Sequence, residues 1–111
     1  MPLLKRARIE IYLPQLGSSV YTRLLKAFET EFLQTFGGCT VIKNIKGFYA
    51  GRDGKTDEDL INLVYADTPF DFDPNFEALS EYADELRLAA LEASGEEAVL
   101  VVVHEICHSV E

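Results

Sequence analysis

The chain ends in HEICHSVE, and there His104, Glu105 and His108 stand in the H-E-x-x-H spacing of zinc metalloproteases. That chemistry needs a helix. Histidines four residues apart then share one face at about 6 Å, with the glutamate beside the metal-bound water. The preceding residues are Val99-Leu100-Val101-Val102-Val103, mostly β-branched, which disfavours a helix and suits a strand. In a strand the two histidines keep a common face but stand about 13 Å apart, too far for one zinc ion to bridge. The expected third ligand is absent from Ser109, Val110 and Glu111. The segment is read as a strand whose polar end reaches solvent, and no zinc is expected there.

Two further stretches resemble ligand loops. Gly51-Arg52-Asp53-Gly54-Lys55-Thr56 looks like the end of a phosphate-binding loop, which needs four residues between its first Gly and the Gly-Lys pair. Only Arg52 and Asp53 lie there, and Tyr49 stands where the missing glycine belongs, so a hairpin turn is expected instead. Asp71-Phe72-Asp73-Pro74-Asn75 begins like a calcium loop. Its sixth position, which should be Gly, is Phe76, and its twelfth, which should be Glu, is Tyr82. With no metal cluster, phosphate loop or nucleophile–base pair in view, the expectation is no cofactor and no catalytic residue.

Composition narrows the field. The 111 residues suffice for a single domain spanning 1–111, and their 48% apolar and 26% charged content is that of a globular chain. No run of about 18 apolar residues suggests a membrane span, and no apolar stretch follows Lys5, Arg6 and Arg8 as in a signal peptide. A reducing, cytoplasmic setting is expected for the two cysteines, Cys39 and Cys107. The net charge of −9 argues against a nucleic-acid surface, where basic residues must neutralise phosphates. The charge is also uneven: residues 1–55 hold nine Lys/Arg and four Asp/Glu, residues 56–111 one and fifteen. Such an acidic protein is mainly kept soluble by its charge, although the asymmetry can also steer a basic partner.

The elements that would position any site follow from periodicity. Arg8 to Leu13 alternates, with Ile9, Ile11 and Leu13 on one side and Arg8, Glu10 and Tyr12 on the other, and Pro14 is expected to stop it. Ser18 or Ser19 caps a helix whose stripe is Val20, Leu24, Phe28, Phe32 and Phe36, widened by Tyr21, Leu25 and Leu33 and ended by Gly37-Gly38. Residues 39–50 and 60–67 read as strands joined by a turn at Asp53-Gly54. Asp73 as cap and Pro74 at the first helical position open a second helix, with Phe76, Leu79, Ala83, Leu86 and Ala90 inward and Gly95 closing it. Residues 98–110 form the fourth strand.

The order βαββαβ, with right-handed crossovers, predicts an α+β ferredoxin-like sandwich: a four-stranded antiparallel sheet of order 4-1-3-2 with two helices on one face. Cys39 and Cys107 then fall on opposite edges, about 14 Å apart or more, too far for a disulfide.

FGGCT after the first helix, GFY closing the second strand and the Asp-Gly turn resemble a set of small bacterial proteins of unknown function with this fold. The resemblance implies the ferredoxin-like architecture and assigns no activity.

One sheet face is therefore left open. With Ile9, Ile11 and Leu13 against the helices, Arg8, Glu10 and Tyr12 face outward. Reading Ile61, Leu63 and Tyr65 as inward adds Asn62, and His104 joins if Val101 and Val103 turn inward, which the two-sided apolar pattern of the fourth strand leaves undecided. These five are the candidate ligand-binding residues, a mixed lining suited to a small molecule. The alternative meaning is a row of cross-strand polar pairs at a dimer interface, which is the commoner one. Apolar residues on both sides of an edge strand favour a homodimer. The leading expectation is a non-enzymatic binding or regulatory module. Alternatives are a small dimeric α+β barrel enzyme enclosing an organic substrate, and a complex subunit docking through Glu77, Glu81, Asp84 and Glu85. No nucleic-acid or membrane partner is expected.

Overall fold

Alternating apolar residues need a helix-covered face, and the structure supplies it. The structure is a computed structural model that describes residues 3–14, 19–94 and 99–109. In chain order the elements are β1 (Leu4–Pro14), α1 (Ser19–Phe36), β2 (Thr40–Ala50), β3 (Thr56–Asp67), α2 (Phe72–Ser94) and β4 (Leu100–His108). The strands are antiparallel in the order β2-β3-β1-β4, as expected for the ferredoxin-like fold.

The central strand β1 drives the core. Ala7, Ile9, Ile11 and Leu13 are essentially inaccessible, and beneath the helices they meet Leu24, Phe28 and Phe32 of α1 and Leu79, Leu86 and Ala90 of α2. Each buried aliphatic side chain of this kind contributes roughly 1.5–3 kcal/mol. α1 ends where Gly37 enters the left-handed region (φ 82°) and its N–H donates to the Leu33 carbonyl at 3.0 Å. Leu33 itself is 53% exposed and widens no stripe. The Gly51–Lys55 stretch is a hairpin turn. The Gly51 N–H donates to Lys55 O at 2.7 Å, and Asp53 Oδ1 accepts from the Lys55 N–H at 3.0 Å.

Boundaries differ from expectation at β1, at α2 and at β3, which starts at Thr56 rather than at residue 60. β1 starts at Leu4, because pairing with β4 as far as His108 organises residues whose alternation is too weak to read. Pro14 is its last residue rather than a stop before it. α2 starts at Phe72, so Pro74 lies third in the first turn, where the missing N–H would be unpaired anyway. The preceding loop is tied to β1: Ala7 N–H donates to Phe70 O, and the Thr68 hydroxyl donates to Ala7 O, both at 2.9 Å. Phe76, expected inward, is 49% exposed. The Ser18 cap, the Gly95 stop and both ends of the expected fourth strand, residues 98 and 110, lie outside the described residues.

The largest correction concerns β3. Its pairing sets Ala66 opposite Ile9, Val64 opposite Ile11 and Asn62 opposite Leu13, so these three face the helices. Ile61, Leu63 and Tyr65 face the open side. Asn62 is 3% exposed in the core, where it is fully engaged. Its Nδ2 donates to the Tyr21 hydroxyl of α1, and its Oδ1 accepts the Asn44 backbone N–H at 2.8 Å. A buried amide with both ends paired costs little, and this lets the polar residue take the inside position.

Candidate functional site

The β1 register decides what the open face presents. Alternation turns Arg8, Glu10 and Tyr12 outward, and the neighbours fill in by pairing. Asp67, Tyr65 and Leu63 of β3 lie opposite them on one side, and His104, Val102 and Leu100 of β4 on the other. Val101 and Val103 therefore face the helices, and His104 does stand on the open face. Four of the five expected residues come together. Asn62 does not, because its side chain points into the core.

Two polar groups form along this face. In the first, Arg8 grips Asp67 with two hydrogen bonds, Nε to Oδ1 at 2.5 Å and a terminal nitrogen to Oδ2 at 3.1 Å. Its guanidinium also lies 4.2 Å from the centre of the Tyr65 ring. The Arg8 pKa is raised, chiefly by the hydrogen bond to Asp67, and the paired hydrogen bonds orient the cation. The second group centres on Glu10, whose side chain is only 13% exposed. Glu10 Oε1 accepts from the Tyr12 hydroxyl at 3.2 Å and lies 3.2 Å from His104 Nε2. Burial first, and then the Glu10 charge and hydrogen bond, push the Tyr12 phenol above its ordinary pKa, so it stays a donor.

His104 Nε2 is the unusual atom. Its separation from Glu10 is that of an ion pair, but the alignment is not that of a hydrogen bond, so the buried nitrogen has no directed partner. The surface next to Tyr12 and His104 is apolar: Val102 lies between His104 and Leu100 on β4, and Leu63 lies beside Tyr12 on β3. The arrangement sets an apolar strip beside a carboxylate, a phenol and an imidazole that converge on one another.

Sequence reasoning misses Asp67 and Tyr65 because it gives β3 the opposite facing. A sharper signal existed: Asp67 is the acid that antiparallel pairing sets across from Arg8. His104 and His108 lie on one strand, as expected, and among the described residues no group of three or more His, Cys, Asp or Glu is placed to hold a metal. A concavity of about 210 Å³ lies between the helices, walled by Phe36, Phe70, Leu79 and Tyr82. Its rim polar groups are already engaged: the Tyr82 hydroxyl donates to Glu31 and Asn75 Nδ2 to the Asp71 carbonyl, both at 2.8 Å. Little is left there to orient a ligand.

No family model matches the chain, and no curated protein does. Solved structures with a similar fold include CPII from Thiomonas intermedia K12 bound to ADP, AMP and acetate. It is 22% identical, with 99% of this chain and 94% of that one covered and a TM-score of 0.52. The divalent cation tolerance protein CutA1 from Thermus thermophilus is 18% identical, covering 93% of this chain and 84% of that one, at 0.50. CutA1 from Oryza sativa is also 18% identical, covering 92% and 82%, at 0.50. At such identities the likeness is one of fold, and it agrees with the ferredoxin-like architecture described above.

Proposed function

We propose that this protein is a non-enzymatic binding module that acts as a homodimer and holds a small polar organic molecule on its open sheet face. The observation that carries the reading is the Glu10-centred cluster, in which Tyr12 and His104 converge on one nearly buried carboxylate and His104 Nε2 keeps no directed partner. Buried nitrogens are ordinarily hydrogen-bonded, which makes this undirected contact the mark of the cluster. Arg8, fixed by Asp67 and Tyr65, forms the rigid end of the site. Since CPII was solved with ADP, AMP and acetate, adenine nucleotides and small carboxylates are the first probes, followed by a metabolite panel.

Thermal-shift screening followed by calorimetry tests this reading. A ligand is expected whose affinity falls about tenfold for Tyr12→Phe, which loses one hydrogen bond, and more for His104→Ala or Arg8→Ala. A binder whose affinity is the same in all three variants would place the site elsewhere.

A further inference from the structure

The exposed ring of Phe76 looks onto a groove of about 280 Å³ between α2 and β4, lined by Phe76, Ser80, Ala83, Asp84 and Arg87 from the helix and by Val101 and Val103 from the strand. Beyond the groove lies the outer edge of β4. That strand pairs with β1 on one side, and no described strand pairs with it on the other. Over Leu100–His108 it holds no Lys, Arg or Pro, and its one carboxylate is Glu105. Apolar side chains on both faces and unspent backbone donors and acceptors mark an edge that lacks the usual protections against pairing.

We propose that a second copy of this chain occupies that edge. β4 pairs antiparallel with its equivalent about a two-fold axis at Val102, and the two α2 helices pack across the same axis. Three observations fix the occupant and the register. First, pairing about Val102 sets Val101 against Val103 and Leu100 against His104. Glu105 then meets Val99 rather than another carboxylate, so like charges stay apart. Second, the groove is symmetric in the required sense. An axis through its middle sets Ser80 against Ala83, small against small, where the helices cross. It also sets each exposed Phe76 ring against Arg87, whose guanidinium is already steadied by Asp84 at 2.6 Å. Third, the spacing closes. α2 packs on both β4 and β1. A helix over the boundary of these strands stands about 5 Å from an axis half a strand spacing beyond β4, so two such helices meet at about 10 Å, a normal packing distance. The product is an eight-stranded sheet with four helices on one side and the ligand face free on the other.

This inference rests on the homodimer proposed above, and its register sets Leu100 of the second copy beside His104 at the margin of the ligand face. Sedimentation of the full, tag-free chain at micromolar concentration should give twice the 12.4 kDa chain mass. Ser80→Arg, which puts a long cation at the helix crossing, should weaken the dimer by at least about tenfold, as should Phe76→Glu. Hydrogen exchange on the unmodified protein adds a readout independent of any variant. The β4 amides should be slow in the dimer and speed up on dilution, while the outward amides of β2 stay fast throughout. A monomeric wild-type protein would remove both this interface and the proposed homodimer, while ligand binding that depends on Glu10 and Tyr12 of a single chain would still stand. A dimer or larger oligomer whose β4 amides exchange as fast as those of β2, or which survives both substitutions, would overturn this interface alone.

Discussion

The two edges of the sheet are built by opposite rules. β2 carries Lys43 and Lys46, and its pairing with β3 slips between Ile42 and Ile45. Within that slip Asn44 adopts a left-handed backbone (φ 61°), and its N–H is drawn inward to Asn62. A bulge twists an edge and spoils it as a template, and lysines repel an approaching strand. β4 is nine residues without a register break, a lysine or a proline. One edge has been closed and the other left open. The closure of β2 is not a surface matter: it is held from the core by the amide of Asn62, which also ties the bulge to α1 through Tyr21.

The most damaging way to break the contrast is to remove that amide. Asn62→Leu keeps the volume but leaves the Asn44 N–H and the Tyr21 hydroxyl without their partner. Losing two hydrogen bonds and stranding buried polar groups should cost about 2–4 kcal/mol in urea unfolding. The bulge should also relax, and exchange at the β2 amides should quicken relative to β4. A loss under about 1 kcal/mol would mean that the bulge holds itself.

This anchor also marks the limit of what is legible in the sequence. The alternation at Ile9, Ile11 and Leu13, the phenylalanines of α1 and the Gly37 stop are local patterns, and from them the element order and sheet topology follow. The facing of β3 is not local. Ile61, Leu63 and Tyr65 are larger and more apolar on average than Asn62, Val64 and Ala66, so composition favours the wrong side. What reverses it is a pair of partners 41 and 18 positions away, Tyr21 and Asn44, which make a buried Asn acceptable. Phe76 misleads for a related reason: its helical spacing is that of a core residue, but at the margin of the sheet the same face of α2 overhangs the β4 edge. In the candidate site, Arg8, Glu10 and Tyr12 follow from alternation alone. Asp67 and Tyr65 require the pairing register.

A milder probe works through Tyr21. Burial raises its pKa above the ordinary tyrosine value, so the folded chain keeps the phenol protonated when the unfolded chain has begun to lose it. The sign follows directly. Above about pH 10 the unfolded state binds fewer protons than the folded one, so stability falls as pH rises toward the folded pKa. Tyr12 and Tyr82 are raised as well and add to the same fall. Tyr21→Phe should cost about 1 kcal/mol at neutral pH, from the hydrogen bond lost by Asn62, and should make the alkaline fall shallower. An unchanged alkaline slope would show that the phenol at this anchor is not one of the groups being titrated.

The smallest effect on folding, and the most direct comparison of the edges, comes from stripping the lysines of β2. The Lys46–Glu58 pair spans 3.8 Å with both side chains at least half exposed, and such pairs add little to stability. Lys43→Val with Lys46→Val should therefore move the unfolding free energy by less than about 0.5 kcal/mol. Association should respond instead. With the charge gone, what still resists pairing at β2 is the bulge, so the double variant separates the two protections. If the lysines are the stronger guard, light scattering should show mass rising with concentration beyond the wild-type species, as chains join through a second edge. The same substitutions combined with Asn62→Leu should then associate further, because both protections are lost. If the double variant keeps the wild-type mass at every concentration, the bulge alone closes β2, and the open edge of β4 is explained by its unbroken register rather than by its missing lysines.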